Sequence, residues 1–176
     1  MFCRLLLSLV FLIGFSQILM CQSKRDYLWT FGYDGISDPG VQAYRFDFKE
    51  VPFKPQAINH PFRIDNNNAS ICDEDGNLLF YTNGCAISNA DNEIMENGMP
   101  INYGPFLVDF WEGADCQSGY PGTQNIIILT DPKNETGYYI IHKPRAYIPF
   151  DDPQTFHEEL RVTYVDMELN MRTIII

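Results

Sequence analysis

No stretch of ten or more residues in this chain carries an apolar period of 3.6, whereas strand-type runs bounded by glycine, proline, asparagine and aspartate recur throughout. Antiparallel hairpins are therefore the expected building unit. In "AYRFDF" the aromatic residues Tyr44, Phe46 and Phe48 alternate with Arg45 and Asp47, the period of a half-buried strand. "YLWTFG" (27–32) precedes it across the loop "YDGISDPG". "VPFKPQAINHPF" holds three prolines and can be neither a helix nor a central strand. Then come "ASIC", a turn, "LLFYT", the Asn83-Gly84 hairpin signal and "CAIS". "NIIILT" and "GYYIIH" flank the turn "DPKNET", and "RVTYVDM" and "MRTIII" close the chain. The one helical expectation is "PQTFHEEL" (153–160), with Asp152 as cap and Pro153 at the first position.

Two hairpins echo each other. "ASICDEDGNLLFY" and "IILTDPKNETGYYII" share an apolar strand, an Asp-led turn with a late glycine, and an aromatic-rich strand. Asp73 and Asp131 lie 58 positions apart. A propeller blade repeats about every 40–50 residues, and the glycine-rich "INYGPFLVDFWEGADCQSGYPGT" reads as an inserted loop that accounts for the excess. "YVDMELNMRTIII" is a candidate start for a third copy at Asp166. The reading is all-β: antiparallel hairpins arranged as partial β-propeller blades in an incomplete ring.

The first residues have a different character. Arg4 is followed by "LLLSLVFLIGF", an apolar core of secretory-signal length, and Ser16 and Gln17 interrupt the run before it reaches membrane-spanning length. Residues 1–21 are read as a cleaved signal peptide, with no stable membrane span in the mature chain. The alternative is a lipoprotein acylated on Cys21, although Met20 is bulky for such a site. Residues 22–176 remain, long enough for one domain. They keep 11 basic and 23 acidic side chains, a net balance of −12. Such a surface repels phosphate backbones, so no nucleic-acid partner is expected. The aromatic content of 14% is too high for a disordered chain.

Three cysteines survive cleavage, and an exported location permits a disulfide. Cys72 and Cys85 flank "LLFYT", and in a regular meander their strands stand two spacings apart, about 9.6 Å, too far to bridge. The expectation is a Cys85–Cys116 staple from strand to loop, with Cys72 free and buried.

"GNLLFYTNG", "YPGTQ" and "YYIIH", within segments running from Trp29 to Asn170, resemble a family of large exported proteins of the Bacteroidota. Members are propellers of WD-repeat or kelch-like shape, associated with gliding and surface proteins, that often end in a type IX secretion sorting domain. The resemblance implies an N-terminal propeller segment, a fragment of about two to three blades, exported to the surface or secreted. It implies partners in the remaining blades of a longer chain, and it carries no established catalytic residues. No sorting domain occurs in these residues, and the chain closes on "MRTIII" without a turn.

Four constellations bear on chemistry. "DEDGN" places Asp73, Asp75 and Asn77 at alternating positions, as at the start of a calcium loop, but Leu78 stands where that loop needs glycine. A tight turn with Gly76 at positive φ explains the same residues. Asp109, Glu112 and Asp115 lie three apart beside Trp111, a spacing open to paired-carboxylate glycoside hydrolysis or to a solvated acidic loop. His60, His142 and His157 are scattered, with no metal-ligand spacing. Asn68 and Asn134 sit in "NAS" and "NET", read here as turn residues. No cofactor is implied. The functional expectation is a non-enzymatic binding or scaffold module for a protein or glycan ligand at the cell surface. The alternative is a carbohydrate-active propeller enzyme using the acids of the 109–115 loop.

Overall fold

The computed structural model describes residues 24–36, 40–111, 116–122, 124–148, 154–156, 159–168 and 172–174. Residues 1–21, expected as a signal peptide and including Cys21, lie outside them, as do Glu112, Asp115 and His157. The regular structure is almost entirely antiparallel β. Strands β1 (Leu28–Gly32), β2 (Ala43–Asp47) and β3 (Gln56–Ile58) form a first sheet in that order. A second contains β4 (Ala69–Cys72), β5 (Leu78–Thr82) and β6 (Ile87–Asn89), again in order. In the third, β7 (Ile126–Thr130), β8 (Gly137–His142), β11 (Arg161–Asp166) and β12 (Arg172–Ile174) lie side by side. Between β8 and β11, β9 (Ala146–Ile148) and β10 (Gln154–Phe156) pair as a separate hairpin.

One local device turns most of these strands. At the end of β2, Asp47 Oδ1 accepts the Lys49 amide at 2.9 Å. Asp131, just past β7, does the same for Lys133 at 2.9 Å, and Asp166 of β11 for Glu168 at 3.0 Å. Asp73 bends the chain between β4 and β5, its Oδ1 accepting the amides of Asp75 at 2.9 Å and Asn77 at 2.8 Å. Asn77 Nδ2 takes the other carboxylate oxygen at 2.9 Å, and Gly76 sits at φ 82°. Short acidic side chains that bond the backbone two residues on are why so many of these turns are Asp-led.

The middle sheet is covered on both faces. Cys72, Leu78 and Tyr81 join Leu28, Phe62 and Ile64 in one core. Ile71, Phe80 and Ile87 join Tyr138, Ile140 and Val165 in another. This is why "LLFYT" reads as a nearly continuous apolar run. The two flanking sheets each have one bare face. On the first, the small Ala43 lies buried with Leu28 and Thr30, while the aromatic residues of the alternation point the other way. Trp29, Phe31, Tyr44, Phe48 and Phe53 are each between 39% and 47% exposed. Phe48 and Phe53 stack at 5.4 Å, and Trp29 meets Phe48 edge-on at the same distance. On the third sheet Ile127 and Leu129 are exposed.

The first strands of the three sheets lie next to one another: β1 packs beside β4 and β4 beside β7. Ser70 Oγ donates to the Leu28 carbonyl at 2.9 Å, and the Cys72 amide to the Arg25 carbonyl at 2.8 Å. The proline-rich segment supplies β3, an edge strand as its prolines require.

The expected helix over 153–160 is corrected. Gln154–Phe156 is a strand in register with Ala146–Ile148, Thr155 opposite Tyr147. A cap and an N1 proline stabilise a helix start by little, and a β-branched and an aromatic residue favour the pairing that is available. At Asp166 the structure has a third Asp-led hairpin, β11 with β12, but it does not open a sheet of its own. β11 pairs with β8 from Arg161↔His142 to Asp166↔Gly137, so it extends the sheet already begun.

Much of the described part of the 101–123 loop is packed into the core. Ile101, Phe106, Leu107, Cys116 and Tyr120 are all buried. The Cys85–Cys116 disulfide, Cα–Cα 5.3 Å, joins it to the chain entering β6, and Cys72 is a buried free thiol. Both were expected. A disulfide fits an extracellular location. No helix among the described residues is long and apolar enough to cross a membrane.

Candidate functional site

Because β1, β4 and β7 are the terminal strands of their sheets and lie together, they border one groove of about 610 Å³. β1 contributes Trp29 and Phe31, the run into β4 contributes Asn66, Asn67, Asn68 and Ser70, and Gln124 with Ile126–Ile128 closes the far side. Among the described residues no charged side chain lines it, in a chain with 35 charged residues. Asn68 Nδ2 donates to the Ile64 carbonyl at 2.9 Å and Asn66 Nδ2 to that of Ser118 at 3.3 Å, so both amides are held in place through their nitrogens. Asn67 is 5% exposed, and its Nδ2 has no hydrogen-bond partner among the described residues. An amide that stays buried and unpaired costs about 1–3 kcal/mol.

The groove was not legible in the chain. Its walls come from three strands far apart in sequence, and only the triple asparagine "NNNAS" beside an aromatic strand hinted at it. Of the residues singled out for chemistry, the structure brings Asp73, Asp75 and Asn77 together in one tight turn. Asp73 spends both carboxylate oxygens on the turn, which holds its pKa below the ordinary carboxylate value through bonds from Asn77, Asp75 and Gly76, against the opposing effect of burial. Among the described residues no three His, Cys, Asp or Glu side chains converge. Asp109 is exposed on a single π-helical turn, Phe106–Trp111. Its proposed partners Glu112 and Asp115 lie outside the described residues. Asn134 is a turn residue: its Oδ1 accepts the Thr136 amide and hydroxyl, and Nδ2 donates to Tyr164 Oη.

Two of the histidines sit in separate cores. Tyr81 Oη donates to Asn92 Oδ1 at 2.9 Å, so the His60 Nδ1–H donates to Tyr81 at 2.9 Å. Burial lowers the His60 pKa to about 4, with the Arg45 charge adding to it, and pushes Tyr81 up to about 12. His142 lies between Asn102 and Thr163, and burial lowers it also to about 4. Both are neutral, hydrogen-bonded core residues at ordinary pH.

A smaller cavity of about 290 Å³ is lined by Tyr103, Tyr120, Arg145, Glu159 and Arg161 among others. Two of its charges engage each other: Arg161 pairs with Glu159 at 2.5 Å and also bonds the Tyr103 carbonyl at 2.8 Å. Tyr120 Oη bonds the Arg145 amide at 2.5 Å. The uncharged groove is therefore the better candidate for a ligand. Comparison with protein-family models, with curated proteins and with solved structures gives no match to this chain.

Proposed function

We propose that the chain is an exported, non-enzymatic binding module, built as an arc of β-propeller blades and displayed at the cell surface or secreted. The arrangement of first strands carries this reading. Each sheet is an antiparallel meander, and β1, β4 and β7 stand side by side at its inner end, as strands lining a propeller channel do. The doubly covered middle sheet has the environment of an interior blade. The resemblance to exported Bacteroidota propellers supports export and display, and the disulfide is compatible with both. The function lies in holding a protein or glycan at the groove between the sheets.

The test is to measure binding and turnover together on the secreted chain, with polysaccharides, aryl glycosides and peptides. Binding without hydrolysis is expected. Hydrolysis that disappears in Glu112→Gln would establish the carbohydrate-active enzyme in its place.

A further inference from the structure

We infer that the groove between β1, β4 and β7 binds a neutral oligosaccharide, with Trp29 as its stacking platform. This rests on the binding-module reading and names the ligand class. The absence of charge in the lining removes the usual means of holding phosphates, carboxylates or cations. What the groove offers instead is two aromatic faces, three adjacent asparagine amides, Gln124 and the Ser70 hydroxyl. A sugar ring matches that set. Its C–H face is apolar and packs on an indole, while its hydroxyls both donate and accept, as amides require. Trp29 is 45% exposed and rigid, which suits a contact made without ordering a flexible side chain. Asn67 lines the groove and its buried Nδ2 has no hydrogen-bond partner among the described residues, and a small side-chain adjustment would let it donate to a ligand hydroxyl without bringing a charge into the site. The volume, about 610 Å³, lies within the ~300–1,000 Å³ usual for small-ligand sites and accommodates a short oligosaccharide.

Hexasaccharides of glucose, xylose, mannose and N-acetylglucosamine would be titrated into the chain, beside polygalacturonate and alginate oligomers and unstructured peptides. Calorimetry and tryptophan emission provide the readouts. At least one neutral oligosaccharide should bind and change the emission, with affinity reduced about ten-fold by Trp29→Ala and several-fold by Asn67→Ala. Circular dichroism and the thermal midpoint of each variant separate lost binding from lost folding, and Trp29→Phe, which keeps an aromatic face, should restore part of the affinity. Binding of acidic oligomers or peptides that is sensitive to Trp29→Ala would overturn the neutral-glycan assignment and leave the binding-module reading standing. Failure of every neutral oligosaccharide, or binding indifferent to Trp29→Ala, would overturn the site itself.

Discussion

His142 Nδ1 lies 2.6 Å from Asn102 Oδ1, and this contact fastens the long 101–123 loop to the third sheet. Asn102 Nδ2 donates to the Gly84 carbonyl at 2.7 Å, and His142 Nε2 meets Thr163 Oγ1 at 2.9 Å. The bonds account for every polar side-chain atom of Asn102 and His142: the imidazole donates through Nδ1 and accepts from the threonine hydroxyl. One neutral tautomer thus links the hairpin after β5, the loop and β11.

Replacing Thr163 by Val keeps the shape of this site and leaves Nε2 buried without a donor. The expected cost is about 1–3 kcal/mol, read as a lower denaturation midpoint at unchanged m-value. An unaltered midpoint would mean that the chain of bonds adds nothing to stability.

Stability should fall on acidification between pH 6.5 and 4. His60 and His142 have folded pKa values lowered from 6.5 to about 4, so the unfolded chain binds their protons first as pH drops. Their contribution is complete above pH 6.5 and is lost as pH falls toward 4, by roughly 3 kcal/mol per histidine at most. Urea titrations at several pH values check this. A double His60→Gln, His142→Gln variant should flatten the profile across that window.

Reducing the Cys85–Cys116 bridge frees a 31-residue separation and should destabilise the fold by about 3–4 kcal/mol. Cys72 is fully buried and its thiol is pushed above the ordinary value by that burial, so it should resist alkylation in the native protein. Peptide mapping after native and denatured alkylation distinguishes the three cysteines. Rapid native labelling of Cys72 would contradict its placement.

The aromatic face of the first sheet should make the isolated chain bind a hydrophobic dye and self-associate as concentration rises. Phe48→Ser with Phe53→Ser removes the stacked pair and should reduce both effects. Light scattering with dye titration is the measurement. A clean monomer without dye binding would show that this face is content in water.

What could be read in the sequence was local. The hairpins at Asp73 and Asp131 were legible because one side chain and one glycine determine each turn. The staple followed from strand spacing alone, since Cys72 and Cys85 flank a whole strand. Which face of β2 is covered was not legible, because Tyr44, Phe46 and Phe48 alternate identically whether a neighbour lies on their side or on that of Ala43. The buried amides and histidines escaped for the same reason: Asn83 resembles any turn asparagine, yet it is fully buried and its Nδ2 and Oδ1 bond Arg63, Cys85, Ala86 and Cys116. The helix-start signal at Asp152-Pro153 is local, whereas the strand at Gln154–Phe156 depends on a partner, Ala146–Ile148, that the signal does not contain.

The double covering of β5 also sets a timetable. As the chain leaves the ribosome, "LLFYT" emerges after the first sheet, which can shelter the side bearing Leu78 and Tyr81 at once. The side bearing Phe80 must wait for Tyr138 and Ile140, some 60 residues later. Until they arrive, a strand of high β-propensity stands half-dressed, and this interval is when the nascent chain most needs a chaperone.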